Sequence, residues 1–238
     1  MRRLFFSILQ AMCTLLIVAA SGQLLVAQQQ LPNPDDFMKP DDFSRILKDE
    51  WGFLKDATDD FLASTSKKTE FETTNEFGER VAKLKAAYIN KIENHIKEKK
   101  FDKRVFGVVV KASLDSYNAD TQQYLIAASE TIEAPYDIPS VRCVVPPNPY
   151  VILTDSVNRG FRTSALRVRF SPGYRWSVSR DEAKMAKADE PNIYFQVRFV
   201  LDVRQEDMVK QAKMKMIPTH ISMVSLTSHK VYWETDIK

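Results

Sequence analysis

The sequence predicts an α+β fold: N-terminal amphipathic helices followed by a largely antiparallel β-sheet with a short inserted helix. Three observations lead to it. Apolar residues at helical spacing are confined to residues 41–103, and β-rich runs punctuated by turns fill 104–238. The alternation of strand and long helix that a doubly wound sheet requires is absent. Only six glycines occur in 238 residues, which argues against glycine-rich dinucleotide loops.

The chain begins Met1-Arg2-Arg3 and continues in an uncharged, mostly apolar run over residues 4–27, with small residues near Ala19-Ala20-Ser21-Gly22 and Val26-Ala27. A basic start, an apolar middle and small residues at its end are the pattern of a secretory signal peptide. Residues 1–27 are therefore read as an export signal, or as a signal anchor if retained, since the run is just long enough to span a bilayer. The expected location is periplasmic or secreted, and membrane-anchored only with the signal uncleaved. Cleavage takes away Arg2 and Arg3 and lowers the formal charge from +3 to +1. A near-neutral chain of interspersed signs gives no electrostatic case for nucleic acid. Cys13 would leave with the signal, so Cys143 would be the one cysteine kept. Flanked by Val141, Val144 and Val145, it is expected as a buried strand thiol.

Residues 28–40, QQQLPNPDDFMKP, read as a linker. From Asp41 onward Phe43, Ile46, Leu47, Leu54, Phe61 and Leu62 keep mostly helical spacing, which Gly52 weakens without forbidding. A second helix is announced by Thr73 and Glu76, the spacing of a capping box. It continues through Phe77, Val81, Leu84, Tyr88, Ile92 and Ile96, one apolar stripe of an amphipathic helix. After Lys103 the period shortens: Val105 to Val110 is β-rich, and Tyr117-Asn118-Ala119-Asp120 turns into a second strand from Gln123. Pro135, Pro139, Pro146, Pro147 and Pro149 confine the next stretch of chain to short or edge strands. Further strands are expected at 150–153, 165–170, 193–203, 217–226 and 230–234. Ser179 and Glu182 should open a short helix over 181–187 that ends before Pro191. Residues 41–103 thus form a helical region and 104–238 a β-rich region, the latter one domain with 70–103.

The segment Glu70-Phe71-Glu72-Thr73-Thr74-Asn75-Glu76-Phe77-Gly78-Glu79-Arg80, the Tyr117-Asn118-Ala119-Asp120 hairpin and Ser179-Arg180-Asp181-Glu182-Ala183-Lys184 occur in that order. Together they resemble a group of exported bacterial proteins of unknown function that carry an EFETT-x-E(F/Y)-x-x-R motif followed by a YxAD hairpin. The resemblance covers roughly residues 70–238 and implies an envelope or secreted location and an α+β fold. It implies no activity and no catalytic residue. The chain departs from that pattern at 205–216, which reads as a charged, Met-rich insertion between late strands.

No Gly-x-Ser-x-Gly elbow, HExxH or CxxC spacing occurs. No catalytic residue, metal ligand or cofactor is therefore expected. Of three histidines, His95 lies among helix lysines and His229 in a turn-like Thr-Ser-His-Lys, which leaves His220, at strand spacing, as the candidate pocket residue. Asp35-Asp36, Asp41-Asp42 and Asp59-Asp60 are read as helix-entry carboxylates. Arg167, Arg169, Arg175 and Trp176 are the candidate binding residues, because guanidinium groups bind forked oxygens and stack on rings. Plain strand alternation, Leu166 and Val168 inward and Arg167 and Arg169 outward, explains the same pattern. The expectation is an exported envelope protein acting as a non-enzymatic binding or assembly module with an envelope protein as partner. A periplasmic hydrolase using Asp115, Asp120 and Glu130 near His220 is the alternative, and a membrane-tethered scaffold the third.

Overall fold

The architecture follows from alternation of burial along three long strands. In a computed structural model, which describes residues 37–101, 103–135, 138–158, 161–169, 175–203 and 212–238, β1 (Phe106–Asn118) buries Phe106, Val108, Val110, Ala112 and Leu114. β8 (Ile193–Asp202) buries Ile193, Phe195, Val197, Phe199 and Leu201. On β9 (Ala212–Ser225) the inward set changes phase, from Met214 and Met216 to Ile221 and Met223. The pairing with β8 shifts register there, between Arg198 and Phe199, which leaves Thr219 as the extra residue. A one-residue bulge is what keeps both halves of β9 facing the same core. The export segment, the start of the linker and residues 204–211 lie outside the described residues.

The main sheet runs β10–β9–β8–β1–β2–β7, with β2 at Gln123–Ala128, β7 at Arg175–Ser177 and β10 at Val231–Asp236. Its pairings are antiparallel except for β4 (Val141–Val144), which lies parallel to the start of β9 on the edge that β10 takes farther along. A second sheet, β3–β6–β5, is built from β3 (Ile132–Glu133), β5 (Val151–Asn158) and β6 (Phe161–Val168). β7 and β10 stand at opposite ends of the main order, yet the rings of Trp176 and Tyr232 meet at 6.0 Å. The sheet is curled until its ends touch.

Helix α1 (Pro40–Thr65) lays Phe43, Leu47 and Leu54 into the curl. The Phe43 ring packs 5.8 Å from Phe106 and 5.2 Å from Phe199. Proline at the first helical position suits an end whose N–H would be unpaired in any case. Just before it, Met38 bridges to Val108, with Met38 N–H donating to the Gly107 carbonyl and Val109 N–H to that of Met38. Gly107 lets the Phe37 ring lie on the strand: a Cβ there would stand 2.7 Å from that ring and displace it. The expected linker therefore ends as part of the sheet, three residues earlier than its composition suggests.

Helix α2 (Thr74–Lys99) packs chiefly along α1 and buries Tyr88, Ile92 and Ile96. The Thr73 hydroxyl accepts from Glu76 N–H and the Glu76 carboxylate from Thr73 N–H, a complete capping box. Arg80 donates from Nε and Nη2 to the two Glu72 oxygens at 2.7 and 3.0 Å, and also to the carbonyls of Ser64 and Lys67. The Glu70 to Arg80 segment thus builds and locks the turn between two helices. Deeper in the hairpin, Glu50 of α1 meets His95 Nε2 at 2.5 Å beneath Phe53, whose ring stacks on the imidazole at 3.7 Å.

Helix α3 (Arg180–Asp189) starts at Ser179, whose hydroxyl accepts from Glu182 N–H, and buries Ala183 and Ala186. A 3-10 turn (Glu190–Asn192) returns the chain to β8. The YxAD hairpin is held locally. Asn118 Oδ1 accepts from Asp120 and Thr121 N–H, while the Tyr117 hydroxyl donates to the Val178 carbonyl.

Several elements differ from the sequence expectation. β5 and β6 extend as a hairpin through Thr154-Asp155-Ser156 and Arg162-Thr163-Ser164, polar stretches with no apolar alternation to announce a strand. β7 is an unexpected short strand. β9 begins at Ala212 within the supposed insertion, because Met214 and Met216 are core residues. Asp59 and Asp60 lie near the C-terminal end of α1, where Asp59 pairs with Lys55 at 3.0 Å and Asp60 with Lys91 at 3.6 Å. Only Asp41 and Asp42 occupy a helix's first turn as expected, and Asp35-Asp36 lies outside the described residues.

Replacing Glu50 or His95 singly by alanine strands its partner in a nearly buried site and is expected to cost about 3 kcal/mol. The double change Glu50→Leu with His95→Phe restores most of that. Urea unfolding of the three variants checks it. Arg80→Ala frees the interhelical turn, so amide exchange over residues 66–73 rises while the melting temperature of the domain scarcely moves.

Candidate functional site

The main described cleft lies on the face of the sheet turned away from α1's core contacts, beside the start of α1. Lys39, Pro40 and Asp41 form one wall, and Ser129, Glu130 and Thr131, between β2 and β3, the other. Val109, Tyr194 and Leu226 make an apolar floor, and the volume is about 590 Å³. That is within the roughly 300–1,000 Å³ typical of ligand pockets.

The floor is braced from the side. Lys111, on the same face of β1 as Val109, donates its ammonium to the carbonyls of Glu190, Pro191 and Ile193 at 2.6, 2.9 and 3.0 Å. Its Nζ also sits 4.6 Å from the centre of the Tyr194 ring. Burial lowers the Lys111 pKa, yet all three protons are engaged, so this lysine is a strut and has no free lone pair for nucleophilic work. Glu130 accepts from Lys111 N–H at 2.8 Å through one oxygen, which leaves the other for the cleft. Leu226 is 38% exposed, so the floor is open to solvent at that residue. An apolar floor with a cation, carboxylates and hydroxyls on the rim can hold a ligand by one apolar group and orient it by hydrogen bonds.

The residues singled out from sequence are dispersed. Arg167 and Arg169 are exposed on the outward face of β6 and the residue after it, with Leu166 and Val168 buried between. Arg175 is exposed on β7. Trp176 is 5% exposed and packs on Tyr124 and Tyr232, so it offers the arginines no surface ring. His220 projects from β9, where Nδ1 meets Asp236 at 2.8 Å and Nε2 lies 3.8 Å from Glu234. It does not line the cleft. In sheet register His220 is level with Arg198 and Gly107, whereas Lys111, to which Glu130 is bonded, is level with Tyr194 and Val224. Four residues along a strand are about 14 Å. Asp115 and Asp120 are farther along β1 and its turn, so His220 and these carboxylates do not converge. Cys143 is 3% exposed.

Among the described residues no group of three or more His, Cys, Asp or Glu side chains is gathered as for a metal ion. Among them, too, no helix is long and apolar enough to cross a membrane. No protein-family model, curated protein or solved structure matches this chain.

A second polar cluster clamps α3 to the sheet. Asp189 accepts from Asn192 Nδ2 at 3.0 Å and from the Tyr232 hydroxyl at 2.9 Å. Lys187 pairs with Glu190 at 2.6 Å and donates to the Leu114 carbonyl. Bonds from Asn192, then Ser225 and Tyr232, hold the Asp189 carboxyl below its ordinary 3.8. Burial first, and then the bond to Asp189, push Tyr232 up to about 12. No sequence pattern links these residues, which come from α3, the 3-10 turn, β1, β9 and β10.

The two shifts act at opposite ends of the pH scale. A depressed Asp189 contributes stability above 3.8 that is lost as pH falls through its lower folded value. A raised Tyr232 contributes stability that is full below 10.0 and lost as pH rises through about 12. The melting temperature, tracked by near-ultraviolet circular dichroism, is expected to hold a plateau between and fall on both sides. Tyr232→Phe should lower the plateau and flatten the alkaline fall, and a profile parallel to wild type would remove the network as its cause.

Proposed function

We propose that this chain is an exported bacterial envelope protein that works as a non-enzymatic binding module, holding a segment of an envelope protein partner in the cleft beside α1. The observation that carries the reading is the cleft itself. Its floor of Val109, Tyr194 and Leu226 suits one apolar side chain of an extended segment. The rim of Lys39, Glu130, Ser129 and Thr131 offers both a cation and acceptors to that segment's backbone and polar groups. Support for export is the basic, then apolar, then small-residue pattern of residues 1–27. The half-buried Lys111, the Asp189 cluster and the Glu50–His95 pair are each accounted for as packing devices, whereas Glu130 on the cleft rim keeps one carboxylate oxygen.

The test is site-directed photo-crosslinking in intact cells from position 226, with N-terminal sequencing of the fractionated protein. Expected are cleavage within residues 21–28, release from the membrane and one dominant cross-linked partner. Lys39→Glu with Leu226→Asp should cut partner recovery at least tenfold, about 1.4 kcal/mol. Recovery that survives this change and falls instead with Arg167→Glu and Arg169→Glu would move the binding surface to the outward face of β6. An intact Met1 in the membrane fraction would replace export by anchoring.

A further inference from the structure

One edge of β1 is shared by two partners that do not meet. Met38 pairs first: its N–H donates to the Gly107 carbonyl at 2.9 Å, and its carbonyl accepts from Val109 N–H at 3.0 Å. Farther along, Ser129 N–H donates to the Lys111 carbonyl at 3.0 Å, where the ladder with β2 begins. A strand residue turns its N–H and its carbonyl to the same side. The Val109 carbonyl therefore points to this edge, as its N–H does, and away from β8. One more parallel rung after Met38 would take its donor from Pro40, which has no N–H. Among the described residues no donor is bonded to the Val109 carbonyl. The next position on the edge is filled by a side chain, since Glu130 Oε2 accepts from Lys111 N–H at 2.8 Å in place of a strand carbonyl. Val109 lies on the cleft floor, and the segments on either side of the gap, Lys39-Pro40 and Ser129 to Thr131, are the cleft walls. The cleft is built over a missing rung of the sheet.

We propose that the cleft takes its partner segment by the main chain, as a short strand added to β1 whose backbone N–H donates to the Val109 carbonyl. This mode of capture rests on the cleft being the partner site, and it specifies how the segment is read. A backbone acceptor enclosed in a protein is nearly always paired, so a ligand that shuts water out of the cleft has to bring a donor to Val109. An extended segment carries that donor at strand spacing, about 4.8 Å from β1. Its side chains alternate between faces, so every second one falls on the face that Val109 shares with Tyr194, over the apolar floor. The free oxygen of Glu130 and the hydroxyls of Ser129 and Thr131 stand beside it for polar neighbours. Pairing through the backbone reads shape before sequence, as in other cases of strand addition to a sheet edge. The class of partner is therefore an extended segment with one apolar residue, and with any residue but proline at the bonded position.

The probe is the peptide acetyl-Ala-Thr-Leu-Thr-Ala-amide, titrated to about 10 mM into the isotopically labelled chain as recovered from cells and followed by NMR. Binding is expected at millimolar strength, with the Val109 carbonyl carbon and the Tyr194 ring signals displaced together. Among versions of the peptide methylated at a single amide nitrogen, one is expected to lose affinity at least tenfold and the rest to change little. Leu226→Asp should weaken the unmodified peptide. Binding that displaces Tyr194 and Leu226 but is indifferent to methylation at every amide overturns main-chain capture and leaves the cleft as the partner site. No binding at about 10 mM also overturns it, because capture by the backbone needs no particular sequence. A cellular partner cross-linked at position 226 would in that case be held by its side chains alone. Displacements confined to Arg167 and Arg169 would remove main-chain capture and the cleft together.

Discussion

The position of the other parts depends on the burial of Phe43 between Phe106 and Phe199. All three rings are within 1% of full burial, and each contributes about 2–3 kcal/mol by leaving water. Phe43 stands in the first turn of α1, so its docking fixes where the helix begins, and Leu47 and Leu54 fix which face it presents. The start of α1 is thereby held against β1, where Met38 completes the edge and Phe37 covers Gly107. The cleft exists because that start stands beside Tyr194 and the 129–131 connection. The same helix continues past Thr58, its last buried residue, to Thr65.

What could be read from sequence is what local chemistry decides. The capping box at Thr73 and Glu76, the Asn118 turn and the Ser179 helix start each involve residues within four positions of one another, and each formed as read. The period-two alternation of β8 was equally legible. Features set by distant partners were not. Glu50 has the look of a solvent-facing helix glutamate, and only the approach of α2 turns it into the acceptor for His95. Met214 and Met216 sit among lysines and read as a polar insertion until β4 and β8 bracket them. The arginines and Trp176 are close in sequence but alternate across strands, so the ring went into the core and the guanidinium groups outward. The cleft draws on five separate segments, and no spacing rule joins Lys39 to Leu226.

The groups with the most altered environments are also the most fully engaged. Lys111 gives its three ammonium protons to three carbonyls, Asp189 is fed by Asn192 and Tyr232, and Glu50 is closed against His95. A catalytic acid or base has to keep one bonding position for the substrate. Here burial has been offset by saturation, which is the condition for a polar group to stabilise a core instead of acting on a ligand. At the rim of the cleft, by contrast, Glu130 keeps an oxygen and Lys39 an exposed side chain.

The cleft wall and the turn that carries Phe71 stand at opposite ends of one helix. α1 has 26 residues, about 39 Å at 1.5 Å per residue, and begins at the cleft wall and ends before that turn. Its inward face is fixed near the start by Phe43 and farther along by Leu47 and Leu54. Packing that is settled in the core therefore sets the position of the cleft wall, and a cavity made at any of those three residues would be felt at Lys39 and Asp41 before it reached the rest of the cleft.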